Sequence, residues 1–260
     1  MTDGISAFTH AVKAEWVKGR RTFLRYSPII FASLAFIILL PSILRNFQSG
    51  RVLRSSAAED ILQMYSFAWV YVFLPVYSIF IALMNYYTEH TQGMWKHINA
   101  QPVSGIAQTI AKHCFAWCYV AASTITLNTF ILIMLLIVKM VHYNVNIGID
   151  DSVFWFGICR FALNSIVGGI AAVSILNLFA ARSSGIILTG MVGFAGILIP
   201  IFIGTTHVLA PFVPWAMEKA YIFSAYSGVP YKPWWAIVPI VYVAAALARH
   251  IVLQRMKPLY

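Results

Sequence analysis

Charge is what this sequence has least of. Only 10% of its 260 residues are Asp, Glu, Lys or Arg, against roughly a quarter in a soluble domain. Acids are the scarcer sign, 8 Asp+Glu against 18 Lys+Arg, and 60% of the chain is hydrophobic. That shortage excludes an ordinary soluble enzyme, a disordered chain and a nucleic-acid-binding domain. The net charge of +10 does not reverse this, because the basic residues sit between long uncharged stretches. Cysteine is also scarce. Cys114, Cys118 and Cys159 are odd in number and lie in apolar stretches, so they imply no disulfide framework. Cys114 and Cys118 share a helix face beside His113, but no second ligand cluster accompanies them. Small apolar residues packed in lipid or protein is the weightier reading, and no metal is expected.

Chemical motifs are missing too. There is no G-x-S-x-G, no H-E-x-x-H and no pair of carboxylates inside an apolar stretch, so neither hydrolysis nor acid-base catalysis has its groups. The phosphate-cradling G-x-x-x-x-G-K-[ST] loop is absent as well. The chain is therefore read as no enzyme, and any ATP-driven work needs an ATPase on another polypeptide. Arg160 is the single charge deep in an apolar run. It reads more readily as snorkelling outward than as contacting a substrate, which weakens the case for an ion-coupled carrier.

What is present is an all-α polytopic membrane protein. A bilayer core takes about 20 apolar residues per helix, and six stretches qualify: 28–44, 61–87, 106–138, 153–181, 185–203 and 234–248. Six spans put both termini on one side. With the N-terminus inside, Lys13, Lys18, Arg20, Arg21, Arg25, Lys96, Lys112, Arg182, Arg249, Arg255 and Lys257 are internal. Arg45, Arg51, Arg54, Lys139, Lys219 and Lys232 are external, as are Glu59, Asp60, Asp150, Asp151 and Glu218. The positive-inside rule then gives N-in, C-in. The first stretch lacks a small-x-small cleavage site and reads as an uncleaved anchor in a bacterial plasma membrane.

Before it, residues 1–25 form a distinct unit. Ile5, Phe8, Val12, Trp16 and Phe23 fall on one helical arc, with Lys18 and Arg21 on the far side. This predicts a basic amphipathic elbow lying in the cytoplasmic interface, or packed on another chain. Within the spans, Ser165/Gly169 and Gly168/Ala172 are small pairs four apart, and Gly190, Gly193 and Gly196 thin one helix. Both patterns predict close helix approach. Pro75 and Pro239 predict kinks.

The first internal connection, residues 89–104, is the most informative. Glu89 ends the second span where a charge meets water. Gly93 permits a turn, and a short amphipathic helix carries Trp95, Lys96 and Ile98 until Pro102 stops it. Trp95 and Ile98 share a face and suit a partner's groove. The stretch Glu89, Gly93, Trp95, Lys96, Pro102-Val103-Ser104 resembles the corresponding segment of ABC-2 type permeases, most of all the lantibiotic (bacteriocin) immunity permeases. Met94 departs from the small hydroxyl residue expected after that glycine.

The resemblance implies one transmembrane domain over 1–260, paired with a second copy or a paralogue. Two cytoplasmic P-loop ATPases, carrying the ATP and Mg, would dock on Glu89, Gly93, Trp95, Lys96, Ile98 and Pro102. It further implies export of an amphipathic peptide from the producer's membrane. Residues 204–233, with Phe212, Trp215, Tyr221, Phe223, Tyr226 and Tyr231, would then form an outer lid, or else an aromatic belt. Asn85, Thr124, Thr126, Asn128, Asn164 and Asn177 are candidates for the cargo path or for helix-helix hydrogen bonds. The rival functions are a permease for a drug, lipid or polysaccharide, and a membrane sensor or scaffold.

Overall fold

The computed structural model describes residues 2–20, 22–48, 57–91, 105–141, 149, 152–182, 186–203, 213, 215 and 237–255. Regular structure among them is entirely helical. The elbow α1 covers Thr2–Arg20 and ends in a 3₁₀ turn, Phe23–Tyr26, that leads into α2 at Ser27–Gln48. The second apolar stretch is built from α3 (Ala57–Ala68), a π-helical turn (Trp69–Phe73) and α4 (Leu74–Thr91). Then come α5 (Gly105–Val141), α6 (Ser152–Arg182), α7 (Ile186–Ile203) and α8 (Ile237–Arg255).

Four helices are long and apolar enough to cross a membrane: Phe23–Arg45, Ala58–Tyr87, Gly105–Val141 and Ser152–Arg182. The other two expected spans coincide with shorter apolar helices, Ile187–Ile199 and Ile237–Val252. The helices bury their polar groups inward and leave Ile37, Phe156, Phe194 and Phe202 exposed on the outside. An apolar exterior of this kind is stable only against lipid or another apolar surface.

α6 is central and packs against α3, α4, α5, α7 and α8, while α5 also carries α1 and α2. Trp69, Tyr65, Tyr77 and Phe154 are fully buried in the main core. The expected small pairs all lie buried on α6, where bulk would separate the helices. A Cβ at Gly169 would meet Val120 Cγ1 of α5 at 2.8 Å and Leu74 Cδ1 of α4 at 3.3 Å. Gly169→Leu is therefore expected to overpack the α4–α5–α6 contact and cost about 1–3 kcal/mol. The check is the thermal midpoint in detergent, which should fall for Gly169→Leu and stay unchanged for Val167→Leu on an exposed position.

Pro75 and Pro239 both fall within described helices. A proline inside a helix clashes with the carbonyl four residues earlier, and for Pro75 that is Tyr71, in the middle of the π turn. The extra residue in this turn widens the helix where the ring needs room. Pro239 is the third residue of the described helix α8.

The elbow departs from expectation in part. Phe8 and Val12 pack with Ala11 against Ala107 and Ala111 of α5. Trp16 stays 58% exposed, with its ring 6.2 Å from that of Phe115. One apolar stripe thus serves two surfaces. The side chain of Ile5 lies outside the described residues.

Candidate functional site

α5 has 37 residues, roughly 55 Å at 1.5 Å per residue, far more than a bilayer core of about 30 Å requires. Near its start, Lys112 lies against the end of α4 and the elbow. There a buried charge cluster forms. Lys112 Nζ lies 3.0 Å from Glu15 Oε1 and makes a close ion pair with Glu89 Oε1. Lys18 Nζ donates to the same Glu89 oxygen at 2.5 Å and lies 3.5 Å from Glu15 Oε2. Lys112 also donates to the Asn85 backbone carbonyl at 3.3 Å and sits 5.1 Å above the Tyr86 ring. Two acids and two bases leave the cluster neutral, the arrangement under which buried charges are tolerable.

Glu89 does not meet water, as its place at the end of a span suggested; it is 2% exposed. Burial pushes its carboxyl up, but the ammonium groups of Lys112 and Lys18 outweigh this through charge and hydrogen bonds. They hold it below the ordinary value of 4.5. It is consequently a carboxylate throughout the neutral range.

Beside the charges lies an aromatic layer. The rings of His113 and His250 are 5.7 Å apart, and Tyr86 faces His250 at 6.1 Å. Trp117 is 6.1 Å from His113 and donates to Ser174 Oγ at 2.9 Å, which joins α5 to α6. Ser174 Oγ in turn donates a hydrogen bond to the Ile170 carbonyl at 2.7 Å.

Of the residues expected to form the docking segment, Glu89 is placed as described. Gly93, Trp95, Lys96, Ile98 and Pro102 lie outside the described residues. Among the expected path residues, Asn85 is buried one turn before Glu89 on α4. Asn128 is buried and turned onto its own helix, donating to the Thr124 carbonyl at 3.0 Å. Arg160 and Asn164 are half-buried on the first half of α6, and Asn177 is buried near its end. Trp215 is buried, and its indole lies where a Cβ at Gly196 of α7 would project. Tyr221 lies outside the described residues. Asn85 and Glu89 are thus brought together, whereas Asn128, Arg160 and Asn164 sit well along α5 and α6 from them.

Sequence reasoning missed Glu15, Lys18 and Lys112 as one unit. The signal was available: few acids lie on the predicted inner side, and a lysine within an apolar helix needs one of them. His250 gave no such signal. The three cysteines are free thiols, and no group of three or more His, Cys, Asp and Glu that could hold a metal occurs among the described residues.

A family model described as "ABC-2 family transporter protein" matches residues 11–199, from Ala11 of the elbow to Ile199 of α7. No curated protein matches the chain.

Proposed function

From the premise that the chain belongs to the ABC-2 family of transporter proteins, we propose that it is the permease subunit of an ATP-driven exporter that clears a lantibiotic peptide from the producer's membrane. The chain is a multi-pass membrane protein and a transport component, and such permeases generally work with cytoplasmic ABC ATPases. In this reading six helices span the plasma membrane of a bacterium with both termini inside. A second copy or paralogue completes the cavity, and residues 89–104 receive the ATPase.

The observation that carries the reading is the bracketing of that segment. Glu89 opens it and Lys112 follows it in sequence; the two are joined to each other and to the elbow through Glu15 and Lys18. A push on the segment is therefore delivered to α1, α4 and α5 together. Rigid coupling of this kind is what a transporter driven from the cytoplasm needs. The resemblance of residues 89–104 to lantibiotic immunity permeases supports the peptide as cargo. So do the aromatic residues of 204–233, including the buried Trp215.

The test is a vesicle containing the chain with its ATPase. A lantibiotic added on the ATPase side is expected to stimulate hydrolysis and to appear on the other side. Trp215→Ala and Tyr221→Ala are expected to lower its appearance at normal protein levels. Stimulation by a drug, lipid or polysaccharide but by no peptide would replace the cargo; binding of a partner without any response would favour a scaffold.

A further inference from the structure

A cleft opens beneath the elbow, walled by Glu15, Lys18 and Gly19 of α1, Thr22 and Leu24 of the turn, Met84 and Asn85 of α4, and Phe115 of α5. Its lining combines polar and apolar side chains. Lys18, Glu15 and Asn85 supply the polar side, whereas Leu24, Met84 and Phe115 supply hydrocarbon. Asn85 is 96% buried by its 4% exposure, and its Nδ2 donor has no hydrogen-bond partner within the described chain. Buried donors without partners are costly, and a built cleft ending on one implies a ligand that accepts its protons. One turn along α4, Glu89 Oε2 is a buried acceptor that likewise lacks a partner. Lys18, a quarter exposed, adds a cation held by the other oxygen of Glu89.

We propose that this cleft binds one phospholipid by a phosphodiester headgroup that carries a hydrogen-bond donor of its own. The phosphate oxygens accept from Asn85 Nδ2 and Lys18 Nζ. The headgroup ammonium or hydroxyl donates towards the Glu15–Glu89 carboxylates, and the acyl chain leaves along Leu24, Met84 and Phe115. The neutral charge cluster neither repels the phosphate nor demands a fully anionic lipid. Depth agrees with a lipid rather than a soluble phosphodiester. Asn85 lies two residues inside the end of the span Ala58–Tyr87, and Leu24 lies in the first turn of Phe23–Arg45, so the polar end of the cleft is at headgroup level. Exposed Trp16 and Phe23 flank it, and aromatic rings favour that interface. A choline headgroup lacks the donor, which makes the site selective.

The full chain, purified and delipidated, is offered phosphatidylethanolamine, phosphatidylglycerol or phosphatidylcholine in detergent, and retained lipid is read by native mass spectrometry. The first two are expected to bind about tenfold more tightly than the third, the scale of one hydrogen bond to a charged group. Asn85→Leu removes the donor that serves the phosphate common to all three, and is expected to weaken all three about tenfold. Met84→Trp fills the cleft from its apolar wall without touching the charges and should do the same, so the result does not depend on one variant folding. Equal retention of phosphatidylcholine, or undiminished binding of all three lipids in both variants, overturns the proposal. Competition by soluble glycerophosphoethanolamine at the same concentration overturns the lipid as its ligand.

Discussion

Lys112→Ala leaves Glu15 and Glu89 facing one another with a single, partly exposed lysine between them, and it is expected to lower stability by about 3–5 kcal/mol. Lys112 and Glu89 have side chains only 5% and 3% exposed, so solvent cannot screen the charge left behind. Lys18 is 25% exposed, and Lys18→Ala is expected to cost less than about 1 kcal/mol. The paired change Lys112→Met with Glu89→Leu removes one charge of each sign and should recover most of the loss. Denaturant titrations of the single and double variants in detergent give the coupling directly. Additive single effects would show that the ion pair is not formed.

The pH dependence has a definite sign. Glu89 is held below its ordinary value in the folded protein. Its contribution is therefore fully present above the unfolded carboxylate value of about 4.5 and is lost as pH falls through the lower folded value. From neutral pH down to about 5 the wild-type cluster should be unchanged, whereas in Lys112→Ala the buried Glu89 loses its main cation and protonates at a higher pH, so the deficit shrinks as pH falls.

The second large effect lies in the docking segment. Trp95→Asp and Ile98→Asp place a carboxylate where an apolar anchor is proposed to enter the ATPase. Each is expected to cost roughly 2–4 kcal/mol of association, the scale of a central aromatic or aliphatic anchor, and together they should abolish docking while the protein still inserts. Co-purification measured at equal membrane levels is the check. Recovery of the ATPase with both variants, undiminished, would sink the assignment of 89–104 as the coupling segment.

How much of this was legible follows the length of each pattern. The apolar stretch over 153–181 lies within the helix Ser152–Arg182, and the stretch over 106–138 within the helix Gly105–Val141. Long apolar runs bounded by charge leave little freedom for a helix to begin elsewhere. The π turn before Pro75 was foreshadowed as a kink, because the ring's clash is local chemistry. Glu89 was misjudged because hydropathy tells where a helix leaves the apolar core, not what then covers its end. The elbow covers it, through contacts 71 residues apart in sequence between Lys18 and Glu89. Nothing periodic announces such a pairing. The same holds for His250, which reaches His113 only because α8 packs on α5 and α6.

In the proposed function this permease works as the membrane half of an ATP-driven complex. The most direct measurement is to purify the tagged chain from its native membrane in mild detergent and identify what accompanies it. The account predicts a P-loop ATPase, with a second copy of the chain or a related six-span protein. Recovery of the chain alone, or with a kinase or other signalling protein in place of an ATPase, would contradict it.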